Sequence, residues 1–288
     1  MKPILITVKS VLRGVGQVML QPNAATGALF LLGIAVNSIT MACAALLGAL
    51  LGTLLARLFK FPNDEIEHGL YGFNPALVAI AAVLLWSITV TGIAIATLGV
   101  LLATLLMRVM QKYRLSPYTF PFIATIWLAI LLVPTLQTLS AHKLHTGITT
   151  VDGFLQGIGQ VMFQANTLTG LIFLIAIAVN DFKSTALAAL GTLLGLVVAL
   201  LLIWPVEQTA MGLYGYNAVL AAISIPLVSQ RLWLLIAGIL LSIIFVHAML
   251  MWQLPALTFP FVLATWLCIL AERFCLRVKP VLLRAKLK

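Results

Sequence analysis

The chain has 288 residues, of which 62% are hydrophobic and 8% charged, with a mean hydropathy of +1.15 and a net charge of +10. Soluble domains carry about 45–50% apolar and about 25% charged residues. The excess excludes a soluble enzyme, a disordered chain and a nucleic-acid-binding domain, and it points to an all-α polytopic membrane protein. A spanning helix takes about 20 residues, so this length allows roughly ten spans and little else.

The first element, Pro3–Leu20, is weakly apolar and carries Lys9 and Arg13; Lys2 precedes it. These charges interrupt any signal-peptide core, and no small-residue cleavage site follows. Apolar segments near 25–38 and 40–59 read as spans. A shorter run, Asn74–Leu85, follows a glycine-rich turn, and further spans are expected near 88–110 and 119–137. The order then recurs: a weak element at Asp152–Phe163, spans near 168–180 and 185–204, a short run at Asn217–Val228, and spans near 231–252 and 258–276. A helix of about a dozen residues is about 18 Å long, too short for a hydrocarbon core of about 30 Å. The two short runs therefore read as half-spanning, re-entrant helices, with Asn74 and Asn217 as their N-caps. Paired short segments in two halves mark a transport site.

The recurrence is written in the residues. Gln17–Asn37 aligns with Gln160–Asn180 at an offset of 143, with 13 of 21 positions identical. At the same offset Gly69-Leu-Tyr-Gly-Phe-Asn74 matches Gly212-Leu-Tyr-Gly-Tyr-Asn217. Thr119-Phe-Pro-Phe122 matches Thr258-Phe-Pro-Phe261, and Trp127 pairs with Trp266. The chain divides into repeat halves at 1–140 and 152–288, with a linker at 141–151. If the weak first elements cross, the halves run antiparallel; if they do not, the halves run parallel. With the N-terminus inside, the Lys/Arg balance is the same either way and does not decide between them, and both versions leave the C-terminus inside. Six basic residues (Arg273, Arg277, Lys279, Arg284, Lys286, Lys288) close the chain and suit a cytoplasmic leaflet.

The chemistry is sparse. The seven acids (Asp64, Glu65, Glu67, Asp152, Asp181, Glu207, Glu272) all fall at span ends or in loops, which argues against ion coupling. There is no Walker A sequence, no nucleophile–base set and no metal-ligand spacing, so neither an enzyme nor a cofactor is expected. Cys43, Cys268 and Cys275 read as apolar packing, and His247 as a packed histidine. What remains is passive movement of a neutral solute. The polar residues inside the apolar regions are mostly uncharged and come in pairs: Gln17/Gln160, Gln21/Gln164, Asn23/Asn166, Thr26/Thr169, Asn37/Asn180, Asn74/Asn217 and Thr119/Thr258. The asparagines read as caps. Each remaining polar pair must find protein, water or solute partners, and prolines Pro121 and Pro260, two residues after Thr119 and Thr258, free backbone carbonyls nearby.

These paired motifs, Gln-Val-Met-Leu/Phe-Gln-x-Asn, Gly-Leu-Tyr-Gly-Phe/Tyr-Asn and Thr-Phe-Pro-Phe, resemble the urea transporter family over nearly the whole chain. The resemblance implies inverted halves, each with five spans and one half-spanning helix, a homotrimer in the lipid bilayer, and passive, urea-selective conduction. It places Gln17 and Gln160 at the two ends of a filter. Val18, Leu20, Val161 and Phe163 are slot walls, Phe73, Leu77, Tyr216 and Leu220 lie on the half-helices, and Thr119 and Thr258 stand at the centre. Leu20 stands where an aromatic is usual, Tyr216 replaces the usual Phe, and Ser116 takes the place of a proline that Pro255 keeps. A bacterial inner membrane with both termini cytoplasmic is expected. The competing readings are a pore for small amides or ammonia, and a membrane enzyme or scaffold subunit.

Overall fold

Long apolar stretches without interior charge leave the backbone one way to satisfy its N–H and C=O groups in lipid, which is the helix. The computed structural model describes residues 2–135 and 150–285, with side chains for 5–135 and 150–276. Most of the linker expected at 141–151 therefore lies outside the described residues, as do Lys286 and Lys288 and the side chains of Arg277, Lys279 and Arg284.

The first half runs α1 (Lys2–Gln17), α2 (Ala24–Asn37), α3 (Ile39–Leu58), α4 (Asn63–Glu67), α5 (Phe73–Trp86), α6 (Val90–Lys112) and α7 (Phe120–Leu132). The second runs α8 (Thr150–Gly159), α9 (Thr167–Asn180), α10 (Phe182–Leu201), α11 (Val206–Ala210), α12 (Tyr216–Ser224), α13 (Leu232–Met251) and α14 (Phe259–Ala285). The elements recur in the same order, and the described residues contain no strand. Five helices are long and apolar enough to cross a membrane: α3, α6, α10, α13 and Phe259–Leu276 of α14. A sixth span results if α8 with its 3-10 extension and α9, bent by 71°, count as one. The protein is an all-α polytopic membrane protein.

Several expected bounds shift, each for a local reason. α2 has 14 residues, about 21 Å at 1.5 Å per residue, and is held short by the Asn23 cap and the break at Ser38. The Asn23 side chain accepts from Ala25 and Thr26 N–H, and Asn166 caps α9 likewise. The span expected at 119–137 is helical only over Phe120–Leu132, because Val133 is extended (φ −136°, ψ 120°) ahead of Pro134. α14 continues past the expected end at 276 to Ala285. Pro121 and Pro260 fall in the first turns of α7 and α14, where a missing N–H is harmless. They start these helices rather than break them.

The two short helices are the centre of the molecule. α5 packs between α3 and α6, and α12 between α10 and α13. Every residue from Phe73 to Ala82, and from Tyr216 to Ile225, is buried. The approach needs glycine: a Cβ on Gly48 would lie 2.4 Å from the Pro75 carbonyl oxygen, and one on Gly191 would lie 2.5 Å from that of Ala218. The glycine-rich turns enter at positive φ, Gly69 at +80° and Gly212 at +71°, with their Cα atoms pressed against α1 and α8. The halves meet along α2 against α9 and along α7 against α14.

Asn74 and Asn217 are not the N-caps of their own helices. Gly72 and Gly215 hold those positions without a side-chain bond. Each asparagine sits one residue inside the helix and reaches sideways. Asn74 Oδ1 accepts from Phe122 N–H at 3.0 Å, and its Nδ2 donates to the Tyr118 carbonyl at 3.1 Å. Asn217 does the same for Phe261 N–H (3.0 Å) and the Leu257 carbonyl (3.2 Å). They cap α7 and α14 from a neighbouring helix. Asn37 and Asn180 do not cap either; they end α2 and α9 and bond across to the other half.

Candidate permeation site

The filter loops follow α1 and α8. Each leaves its helix through a residue with a left-handed backbone, Leu20 (φ 61°) and Phe163 (φ 62°). An L-residue there is strained, so something must hold the loop. Gln21 and Gln164 do so. The Gln21 Nε2 donates to the Met19 carbonyl at 2.9 Å, and its Oε1 accepts from Asn180 Nδ2 at 2.6 Å. Gln164 repeats this with the Met162 carbonyl (2.7 Å) and Asn37 Nδ2 (2.9 Å). Each loop is thus tied to the opposite half.

Gln17 and Gln160 are anchored on one side. Gln17 Nε2 donates to the His68 carbonyl at 3.0 Å, and Gln160 Nε2 to the Met211 carbonyl at 3.2 Å. In both bonds the amide nitrogen is the group that is tied. Gln17, Leu20 and Phe73 come together on an open cavity of about 430 Å³, with Gln111, Arg114 and Tyr118 in the same wall. Val18, Leu77, Val161 and Leu220 lie in the closed core, at 2% exposure or less, and Val18 and Leu77 do not line that cavity. In the second half Phe163 meets Phe122 edge-on at 6.0 Å, and Tyr216 donates its hydroxyl to the Leu257 carbonyl at 2.6 Å.

The central threonines touch. Thr119 Oγ1 lies 2.7 Å from Thr258 Oγ1, and both residues are 2% exposed. Thr119, the N-cap residue of α7, makes no side-chain cap bond to that helix. The loops carrying them are cross-tied by two tryptophans. Trp127 Nε1 donates to the Pro255 carbonyl at 2.8 Å, and Trp266 Nε1 to the Ser116 carbonyl at 2.8 Å. Each indole also packs on the phenylalanine after the opposite threonine: Trp127 on Phe259 at 4.9 Å and Trp266 on Phe120 at 5.3 Å. The carbonyls of Tyr118 and Leu257, just before the two threonines, receive the Asn74 and Asn217 amides. Sequence reasoning saw Trp127 and Trp266 as a repeat pair without assigning them work. It missed Gln111, Arg114 and Tyr118, which carry no duplicated signal.

Two comparisons bear on this arrangement. The family model for urea transporters matches residues 8–273. The chain belongs to the urea transporter family. Among curated relatives, urea transporter 1 of Mus musculus is 29% identical over 300 residues, covering 93% of this chain and 78% of that protein. Urea transporter 1 of Ovis aries is 30% identical over 290 residues, covering 90% and 76%. For a urea transporter family member the distribution of charge is telling. Glu65 pairs with Arg108 at 3.5 Å and Glu272 with Arg231 at 2.9 Å. Around the threonine pair, the described polar groups are hydroxyls, amides and backbone carbonyls.

Proposed function

We propose that this chain is a passive, channel-type conduit for urea. The observation that carries the reading is the duplicated, cross-tied polar network that converges on the Thr119–Thr258 hydroxyl pair. Urea is planar and neutral, with N–H donors on both nitrogens and one carbonyl oxygen. A path for it must replace water by acceptors in sequence. Gln17 and Gln160 offer amide oxygens at the two ends, and the threonines offer hydroxyl oxygens at the centre. Leu20 and Phe163, with Val18 and Val161, form the apolar walls of the two slots. Phe73 and Leu77 on one half-helix, and Tyr216 and Leu220 on the other, face them. Flat apolar walls strip water from the solute's faces while the acceptors hold its edge, and several sites of modest affinity allow rapid exit.

The architecture belonging to this proposal has two inverted halves, 1–140 and 152–288, joined by 141–151. Each has five crossings and one half-spanning helix. The reciprocal bonds support a two-fold relation: Thr26 Oγ1 to the Ala176 carbonyl and Thr169 Oγ1 to the Gly33 carbonyl, both at 2.8 Å. The protein would sit in a bacterial inner membrane as a homotrimer, with a path through each protomer and both termini cytoplasmic. It would act without a cofactor and without chemistry on its solute.

The test is stopped-flow light scattering on proteoliposomes with urea, acetamide and ammonia, with and without imposed potential, proton and sodium gradients. Urea permeability well above protein-free vesicles, and indifferent to all three gradients, is expected. Flux that needs a gradient sinks the channel reading. Ammonia or acetamide moving faster than urea assigns the pore to another small solute.

A further inference from the structure

The two half-helices differ at one position that matters to an acceptor path. Phe73 and Tyr216 are repeat equivalents, and so are the residues just before the central threonines, Tyr118 and Leu257. Both of the latter turn the backbone through the left-handed region, at φ 44° and 46°. A carbonyl oxygen has two lone pairs. On the first side, the Tyr118 carbonyl receives the Asn74 amide, Phe73 has no hydroxyl to add, and both Phe73 and Tyr118 line the open cavity beside Gln17. On the second side, the Leu257 carbonyl receives the Asn217 amide at 3.2 Å and also the Tyr216 hydroxyl at 2.6 Å. Both of its lone pairs are then in use.

We infer that Tyr216 is a specificity-determining residue: its hydroxyl takes the Leu257 carbonyl out of the acceptor series and leaves only a phenol oxygen, a weaker acceptor than a carbonyl, in its place, so the second half offers a migrating solute a poorer acceptor than the first. This rests on the urea-conduction reading and deepens it. The consequence is asymmetry. A solute between Gln17 and Thr119 meets a backbone acceptor with a lone pair to spare. One between Thr258 and Gln160 crosses the same stretch without it. That stretch is the harder step, because urea N–H groups shed water there for a weaker acceptor than the carbonyl on the first side. Removing the hydroxyl should make passage easier, the reverse of what loss of a structural hydrogen bond would do. A water entering the vacated space leaves the effect intact, because it exchanges when the solute arrives.

The experiment is a reciprocal swap in the full-length chain: Tyr216→Phe, Phe73→Tyr and the double variant, each reconstituted and compared with wild type. Urea and water permeability are measured by stopped flow, and melting temperature in detergent serves as a folding control. Tyr216→Phe should raise urea permeability by up to about fivefold, the factor for one net hydrogen bond. Phe73→Tyr should lower it by a similar factor, the double variant should return towards wild type, and water permeability should not follow. A folded Tyr216→Phe protein that conducts urea at or below the wild-type rate overturns the inference. If that variant fails to assemble, Phe73→Tyr decides alone, and wild-type urea flux in it overturns the inference equally. A wild-type chain that leaves urea permeability at the level of bare vesicles fails differently: it removes the proposed function itself.

Discussion

Replacing Thr119 or Thr258 by valine keeps the side-chain shape and deletes one hydroxyl of a pair 2.7 Å apart and 2% exposed. The two consequences differ in sign of coupling. For folding, the single change strands the remaining hydroxyl in a buried site. An unsatisfied buried group costs about 1–3 kcal/mol, whereas replacing both partners by apolar groups of the same shape is nearly neutral. The double variant should therefore be more stable than the sum of the singles, and close to wild type. For conduction, the proposed function makes each hydroxyl an acceptor to the solute. Loss of one should cost about 1 kcal/mol at the central barrier, about fivefold in rate where that step limits. The double change removes both acceptors and should conduct least. Stability and flux thus rank the double variant in opposite ways. The assay is a double-mutant cycle read twice, by melting temperature in detergent and by urea permeability in proteoliposomes. If the double variant recovers flux along with stability, the pair is a structural hydrogen bond and the central acceptor role is refuted. Full conduction by both folded single variants would refute it as well.

Other expectations follow from neighbouring contacts. Trp127→Phe and Trp266→Phe keep the ring packing and remove the indole N–H bond to the opposite loop. Each should lower the melting point, by about 1 kcal/mol in stability, and reduce discrimination of urea from methylurea, as seen by stopped flow. Leu20→Phe restores the ring that its repeat mate Phe163 carries. It should narrow the first slot and reject bulkier amides with urea flux little changed; unaltered amide selectivity means Leu20 is not a wall. Asp181 caps α10, and its carboxyl is held below the usual carboxylate range, first by the Ser184 hydroxyl, then by the Ser184 and Lys183 N–H groups and the Lys183 charge. A lowered folded-state value contributes stability above the unfolded value, which is lost as pH falls through the folded one. The melting-point gap between wild type and Asp181→Ala should accordingly close below the carboxylate range and be flat from neutral pH upward.

The two short, buried helices α5 and α12 were legible in the sequence to within a few residues, because a short apolar run behind a glycine-rich turn has few other solutions. The caps were legible where the partner is local, as at Asn23 and Asn166. They were misread at Asn74, whose Oδ1 accepts from the Phe122 N–H, 48 residues away. A cap supplied by another helix leaves no mark on the spacing around the asparagine. The same limit hid the work of Trp127 and Trp266: the repeat shows both tryptophans, but their carbonyl partners are backbone atoms, which carry no residue identity. The wall of the cavity beside Gln17 was only partly legible. Gln111 and Arg114 reach it from the end of α6, where the sequence shows only polar residues closing a span.

The repeat itself separates what is free to drift from what is not. Among the described residues, side-chain hydrogen bonds between the halves that use nitrogen or oxygen atoms come from identical pairs: Thr26 with Thr169, Asn37 with Asn180, Gln164 with Gln21, Thr119 with Thr258, and Trp127 with Trp266. Contacts that stay inside one half need no matching partner. Phe61, Glu65, Tyr71 and Arg108 form one cluster, with the Arg108 guanidinium 5.5 Å from the Phe61 ring and 3.5 Å from Glu65. The corresponding place in the second half holds Trp204, Gln208, Tyr214 and His247, where His247 stacks on Trp204 at 3.7 Å and Tyr214 donates to Gln208. A charged pair in one half has become a neutral stack in the other with the tyrosine kept. A substitution at the seam between halves disturbs a bond whose mate lies in the other copy, so the seam holds both copies to one chemistry. Contacts inside each half are not bound in this way, and there repeat equivalents come to differ, as Phe73 does from Tyr216, whose hydroxyl bonds the Leu257 carbonyl of its own half.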